Sequence, residues 1–161
     1  MYKTGFRKLV PVVGAVAALL VGAPLASAAA PTSREAHQHT ETINVVAKQT
    51  QTQSIDLGEK GKSLGDQLVI AEDLYRHGKK IGDHSVVCTY IHTEPDALQC
   101  LGTFALPEGQ ITGQALLHLP APSAVDVAVT GGSGAFSNVG GYVRTVPAGT
   151  TERHVTFNLT R

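Results

Sequence analysis

The carboxylates that could carry acid–base chemistry lie in stretches of alternating apolar residues. Asp126 stands between two valines, and Glu72 and Asp73 follow the apolar run that begins at Leu68. A carboxyl group turned into an apolar interior could serve as a general acid or base. Unpaired carboxylates are rarely buried, so we expect Asp126 to face solvent. We also expect Glu72 and Asp73 to be a solvated pair near a turn. As neighbours on a strand they point to opposite faces, and the alternative is that one of them points inward.

The other common catalytic and metal-binding patterns are weak in this chain. His92, His118 and His154 occupy predicted strand positions, but their spacing matches no metal motif. A Ser-His-Asp arrangement is compatible with the composition, but the sequence predicts no strand-to-helix elbow that would expose a nucleophilic serine. The glycine cluster at 131–134 lacks the G-x-G-x-x-G spacing and the helix that a dinucleotide site needs. We therefore predict no metal ion and no cofactor.

The alternation of apolar and polar residues predicts an almost purely β domain. Gly, Pro and Asp interrupt the pattern at intervals typical of strands joined by turns. The eight predicted strands cover about 43–55, 66–74, 84–92, 98–106, 110–119, 124–130, 141–146 and 152–160. Each connection is short, so strands adjacent in sequence should pair antiparallel. Closure would remove the exposed edges, so we predict an all-β, eight-stranded antiparallel up-and-down barrel of the calycin type.

One face of these strands is apolar enough to line the interior of a barrel. Eight strands enclose a space that holds one small ligand. The small residues Gly113 and Ala115 could leave such space open. The candidate ligand-binding residues of the lumen are Tyr90, Phe104, Leu117 and Phe157. The Tyr90 hydroxyl could donate a hydrogen bond to a ligand carbonyl, or Tyr90 could equally be a core aromatic.

The two cysteines, Cys88 and Cys100, lie on predicted neighbouring strands. If His92 lies opposite Asp96 across the intervening turn, then Cys88 lies opposite Cys100. An even cysteine count in an exported chain favours a disulfide, and the alternative is a free, functional Cys88. A disulfide closing a loop of this length contributes about 3 kcal/mol in chain-entropy models.

Between the sixth and seventh predicted strands lies a glycine-dense segment, Thr130–Gly141. Glycine is favoured where the backbone needs a positive φ or passes close to another segment. The segment therefore predicts a tight, irregular turn between two strands, with Phe136 packed against one end of the barrel.

The first 28 residues have the pattern of a secretory signal peptide. Lys3, Arg7 and Lys8 precede an apolar run, and Ala26-Ser27-Ala28 is a small-residue cleavage site. The run is short for a membrane span, so we predict secretion, a disordered leader over 29–41 and a single domain over 42–161. The signal contributes three of the 13 basic residues, so ten basic and 13 acidic groups would remain. This weak acidic balance argues against nucleic acid or a membrane as a partner of the mature protein.

Several short segments, in this order, resemble the allene oxide cyclase barrel family: Gly65–Val69, Asp73–Tyr75, Lys79–Gly82, Cys88 and Val129–Phe136. The resemblance implies an eight-stranded barrel with a hydrophobic cavity. Plant allene oxide cyclases isomerise a fatty-acid epoxide, dirigent proteins steer radical coupling, and bacterial relatives include pericyclic cyclases. The resemblance further implies a small hydrophobic ligand and a homo-oligomer, with the trimer typical of the plant members.

The functional residues of these relatives do not transfer directly. Plant cyclases carry a glutamate and a Ser-Pro pair on or near the first strand, whereas 43–55 contains neither. The dirigent arginines after the glycine turn correspond here to Ser137 and Gly140. Two hypotheses therefore remain: an exported, cofactor-free isomerase or cyclase, and a non-catalytic binding or dirigent-like steering protein. A third alternative is a structural barrel whose lumen is filled.

Overall fold

The computed structural model describes residues 39–161, which form eight strands and one short 3-10 helix. The strands are β1 (Thr40–Ile55), β2 (Gln67–Arg76), β3 (Lys79–Thr93), β4 (Asp96–Leu106), β5 (Gly109–His118), β6 (Val125–Gly132), β7 (Gly140–Pro147) and β8 (Glu152–Thr160). The 3-10 helix, Gly134–Phe136, lies between β6 and β7. The predicted signal peptide and most of the predicted leader lie outside the described residues. Because β1 begins at Thr40, the last two residues of the predicted leader are strand.

Every strand pairs antiparallel with its neighbour in sequence, and β8 returns to pair with β1. The closing register places Ile43 opposite Phe157 and Val45 opposite Val155. This closed barrel confirms the predicted fold class. Val155, Phe157 and Leu159 alternate along β8 and are buried on the inside of the barrel. No helix in residues 39–161 is long and apolar enough to cross a membrane.

The strands extend further than the sequence pattern predicted, most clearly around the β2–β3 hairpin. The turn consists only of His77 and Gly78, both with positive φ (51° and 76°). Two-residue hairpin turns of this kind match the twist of the flanking strands. β3 therefore begins at Lys79 rather than near His84, and Lys79–Asp83 belongs to a strand where a longer turn was expected.

The predicted disulfide between Cys88 and Cys100 is present and joins β3 to β4. The two cysteines are directly opposed, as are Tyr90 and Leu98. The predicted pairing of His92 with Asp96 is wrong, since His92 lies opposite Ala97. A bulge between Tyr90 and His92 absorbs the one-residue difference, so the register at the cysteines is unaffected.

The glycine-rich connection from β6 to β7 helps to close one end of the barrel. Phe136 at the end of the 3-10 helix is buried and packs with Ile111, Val143, Phe157 and neighbouring side chains. A Cβ on Gly132 would lie 2.4 Å from the Phe136 carbonyl oxygen, so the close approach requires glycine there. The expected role of this segment as the turn that packs Phe136 against the barrel end is confirmed.

Candidate functional site

The end of the barrel opposite Phe136 is not filled and contains a cavity of about 550 Å³. Ligand pockets are typically clefts of about 300–1,000 Å³, so the size suits one small organic molecule. Its apolar wall comes from the inward faces of β2 to β6 and from Leu119, which follows β5. The side chains of this wall include Leu68, Ile70, Val86, Cys88, Tyr90, Leu98, Cys100, Phe104, Ala115, Leu117, Leu119, Val125 and Val127. The structural-barrel alternative, which requires a filled lumen, is therefore not supported.

Three ionisable side chains meet deep in the barrel, next to the packed end. Glu72 lies on β2 and its side chain is fully buried. Its Oε2 accepts a hydrogen bond from His84 Nδ1 at 2.7 Å, and Arg153 Nε lies 2.8 Å from Oε1. Oε1 accepts no aligned hydrogen bond, so the Arg153 contact is a close ion pair. The buried Glu72 carboxylate thus contacts the His84 imidazole through one oxygen and the Arg153 guanidinium through the other.

His84 and Arg153 reach the cavity, whereas Glu72 lies behind them. Both contribute to the cavity lining, and the His84 side chain is 9% exposed. The His84 ring also stacks on Phe104, with centroids 3.9 Å apart and an interplanar angle of 8°. Phe104 in turn packs edge-on against Phe157 at 4.9 Å. These contacts fix the imidazole plane from the packed end of the barrel.

Strand register explains why these side chains meet. Glu72 on β2 is directly opposite His84 on β3, and His84 is opposite Phe104 on β4. On β8, Arg153 occupies the same face as Val155 and Phe157, and barrel closure brings β8 next to β1 and thus close to β2. Side chains at paired positions of adjacent strands lie on the same face, so they can contact each other within the lumen.

The second ring nitrogen of His84, Nε2, lies next to Gly102, which has no side chain to cover it. A Cβ on Gly102 would lie 2.9 Å from His84 Nε2, so any larger residue would press on the ring. Because a carboxylate only accepts hydrogen bonds, pairing with Glu72 places the imidazole proton on Nδ1. In the neutral imidazole Nε2 then presents a lone pair and can accept a proton from a bound molecule. This is the arrangement of a general base that is oriented by a carboxylate.

The connection between β1 and β2 lies at the open end of the cavity and is held by Asp66. Asp66 accepts backbone hydrogen bonds from Leu57 (2.8 Å) and Ser63 (2.7 Å). These hydrogen bonds hold the pKa of the Asp66 carboxyl below its usual value. Within the same connection, Lys62 donates to Asp96 at the β3–β4 turn with Nζ–Oδ1 at 2.6 Å. Both Asp66 and Lys62 contribute to the cavity lining, so this loop shapes the entrance.

Replacing Asp66 with asparagine should destabilise the protein at neutral pH and have less effect in acid. The folded carboxyl has a lowered pKa, so its stabilisation is present above the unfolded pKa of about 3.9 and is lost as pH falls through the folded value. We expect the difference in thermal midpoint between wild type and D66N to be constant near neutrality and to shrink below about pH 4. Thermal unfolding across this range measures it, with D126N as an exposed control. A difference independent of pH would contradict this assignment.

The structure places the four predicted ligand-binding residues in two regions. Tyr90, Phe104 and Leu117 line the cavity. Phe157 is fully buried in the packed end, where it supports Phe104. Ligand contact by these residues remains a prediction.

Among the acidic residues, Asp126 is exposed, as expected, and it pairs with Arg144. The expectation that Glu72 is solvated is wrong. It was based on the rarity of unpaired buried carboxylates, and Glu72 is paired on both oxygens.

His84 and Arg153 were not predicted as site residues, although their positions in the alternating strand pattern contained a signal for them. His84 alternates in step with Val86 and Cys88, and Arg153 alternates in step with Val155 and Phe157. A charged or titratable residue that alternates in step with the inward-facing apolar residues of a strand therefore indicates a buried polar site. Residues 39–161 contain no cluster of three or more His, Cys, Asp or Glu side chains placed to hold a metal ion.

Comparison with known proteins agrees with the barrel. The family described as "Allene oxide cyclase barrel like domain" matches residues 42–159. No curated protein matches the sequence at a significant level.

Solved structures of similar fold include a pyocyanin demethylase, with 23% identity and a TM-score of 0.63, covering 74% of this chain and 99% of that chain. The pterocarpan synthase dirigent protein GePTS1 has 16% identity and a TM-score of 0.59, covering 76% and 89%. The Diels Alderase AbmU from Streptomyces koyangensis has 11% identity and a TM-score of 0.58, covering 79% and 70%. At these identities the likeness establishes the fold alone.

Proposed function

Because this chain belongs to the allene oxide cyclase barrel-like domain family, we propose that its cavity binds a small hydrophobic molecule and catalyses its isomerisation or cyclisation without a cofactor. The observation that carries this proposal is the buried Glu72–His84 pair at the base of an apolar cavity. An apolar wall would hold a flexible substrate in a reactive conformation, and proximity and orientation can lower the barrier considerably. The free Nε2 of His84 would move the proton.

The carboxylate that plant cyclases have on the first strand is absent here, but a second strand supplies one. Glu72 lies on β2 and is opposite Gln49 of β1. It does not face the ligand directly, because His84 and Arg153 lie between it and the cavity. The proposed proton transfer is therefore carried out by the His84 imidazole, which the Glu72 carboxylate orients. The residues of the first strand gave no indication of this pair.

The dirigent-like alternative has less support from this site. Ser137, at a position where dirigent proteins carry an arginine, is exposed and its hydroxyl donates to the Gly134 carbonyl oxygen at 2.9 Å. It is not among the residues lining the cavity. A non-catalytic role, in binding or in steering a reaction that occurs spontaneously, would be shown by binding without turnover.

Displacement of a fluorescent probe followed by product analysis tests the proposal. Anilinonaphthalene sulfonate should bind in the cavity and be displaced by some members of a panel of unsaturated fatty-acid and polyketide compounds. Each displacing compound is then incubated with the protein in deuterated water and examined by mass spectrometry. An isomerised or cyclised product that gains deuterium supports proton transfer, whereas displacement without conversion supports the non-catalytic alternative.

The variant H84Q should lower the conversion rate by about 10²- to 10⁴-fold, the usual contribution of general acid–base catalysis. The matched variant H154Q changes an exposed histidine on β8 and should convert substrate at the wild-type rate. Full activity in H84Q would overturn the assigned role, and failure of every compound to displace the probe would overturn ligand binding.

We further propose that the protein is exported and cleaved after Ala28, leaving a mature chain that acts outside the cytoplasm. The Cys88–Cys100 disulfide supports an oxidising compartment. By the family resemblance, the exported barrel would assemble as a trimer. Mass spectrometry of the secreted protein and its native mass would test the cleavage site and the assembly.

A further inference from the structure

We propose that the terminal nitrogens of Arg153 bind an oxygen atom of the ligand, so that the cavity selects apolar molecules bearing a carbonyl, enol or phenol group. This inference rests on the proposed function and identifies its substrate class. A cavity with a mostly apolar wall fixes the orientation of a ligand through few polar groups. Two cationic side chains of the described residues line the cavity: Lys62 pairs with Asp96 at the entrance, whereas Arg153 shares the Glu72 carboxylate with His84.

The contacts of Arg153 leave its donors available. The shortest contact with Glu72 is made by Nε, and within residues 39–161 neither Nη1 nor Nη2 donates a hydrogen bond to another protein group. The side chain is 31% exposed and lines the cavity. A guanidinium carries five N–H donors in a fixed fork, so holding Nε on Glu72 leaves four donors on the terminal nitrogens. The Glu72 contact therefore positions the guanidinium and does not saturate it.

A ligand oxygen bound by Arg153 would lie close to His84, where it could take part in the proposed proton transfer. When His84 Nε2 removes a proton from the carbon next to a carbonyl, the C–H electron pair forms a C=C bond and the carbonyl π pair moves to oxygen. The resulting enolate oxygen is negative, and the guanidinium of Arg153 would stabilise it. In a ligand whose enolate is conjugated with a further C=C bond, Nε2 can return the proton to the terminal carbon of that bond. This restores the carbonyl and gives an isomer with no net oxidation or reduction.

The other polar group that could bind the ligand oxygen is the hydroxyl of Tyr90. Tyr90 lines the cavity from β3, three alternating positions further along the strand from His84 towards the open end. A ligand oxygen bound there would lie away from Nε2. The two assignments thus predict different effects of the variants R153M and Y90F.

A pair of matched probes tests the assignment. Nitronaphthol, with its hydroxyl para to the nitro group, carries the oxygen, and nitronaphthalene has the same body without it. Charge-assisted hydrogen bonds contribute about 1.5–3 kcal/mol, so wild type should bind the ionised nitronaphthol about tenfold or more tightly than nitronaphthalene. The absorbance of the bound naphtholate should also appear at a lower pH than that of the free compound, because the guanidinium favours the anion.

The variant R153M should lose both the preference and the shift in naphtholate titration while still binding nitronaphthalene, which also shows that its cavity is folded. R153K keeps the charge but has one ammonium to share between Glu72 and the ligand, so most of the preference should be lost as well. The control R144M changes an exposed arginine and should behave as wild type.

Persistence of the preference in R153M, or its loss in Y90F instead, would overturn the inference and leave the proposed function intact. Equal binding of the two probes by wild type would overturn it in the same way. Binding of neither probe would count against the ligand cavity itself, and therefore against the proposed function together with this inference.

Discussion

Replacing Glu72 with glutamine should lower the free energy of unfolding by about 2–3 kcal/mol, since hydrogen bonds and contacts to a buried charge are worth this much. Glutamine has nearly the same shape, so the loss reports on charge rather than on packing. The side chain would keep contact with His84 and Arg153 but would no longer compensate the guanidinium. The expected loss of unfolding free energy is small for a broken buried ion pair, because Arg153 remains partly exposed and can be hydrated.

Urea unfolding of E72Q measures this loss, and E152Q is the matched control. Glu152 pairs with Lys48 on the outer surface, with 42% of its side chain exposed. Exposed ion pairs contribute little, so E152Q should unfold close to wild type. A double-mutant cycle with R153M should give a favourable coupling energy for Glu72 and Arg153. An E72Q midpoint equal to that of E152Q would show that the buried pair does not stabilise the barrel.

The same substitution should also reduce turnover of any substrate found, because His84 would lose the carboxylate that fixes its tautomer and orients its ring. An amide can donate to Nδ1 as well as accept from it, so Nε2 would no longer be held as the acceptor. We expect the rate to fall together with that of H84Q, and the double variant to be little worse than either single variant, since the two residues act as one unit.

Truncation of Phe157 to alanine should cost about 3–5 kcal/mol of stability, the range for deleting a buried aromatic side chain. Phe157 is fully buried and packs edge-on against Phe104 at 4.9 Å. The surrounding closed end is densely packed, so a new void would be only partly filled by relaxation. Phe104 supports the His84 ring, and we therefore expect F157A to loosen the imidazole as well.

The cavity provides the matched control for this substitution. Leu117 lines existing empty space and is only partly buried, so L117A should cost clearly less than F157A while enlarging the cavity. Chemical denaturation of both variants measures the difference. Equal losses would mean that the two ends of the barrel are packed alike, in contradiction to the placement of Phe157 in a filled end and Leu117 in an open one.

The sequence by itself determined the number of strands, their antiparallel order and the cysteine pairing. Strand residues alternate between two faces with a period of two, so an apolar set such as Val155, Phe157 and Leu159 identifies the inside without knowledge of the partners. Short connections left only neighbour-to-neighbour pairing, and eight strands with no protected edge favoured closure. The register error at His92 arose from a bulge, which local pattern does not reveal, and it did not reach Cys88.

Only the tertiary structure decided that Glu72 is buried and paired. Its position in step with Leu68 and Leu74 indicated the inward face, yet a carboxylate is tolerated there only with partners. His84 is a neighbour across one hairpin, but Arg153 is on the last strand, and closure of β8 onto β1 brings it close. The balance between desolvation and pairing therefore depended on a contact between distant parts of the chain. For that reason, the sequence pointed to a ligand-sized barrel, whereas the closed barrel assembled the residues proposed to act on the ligand.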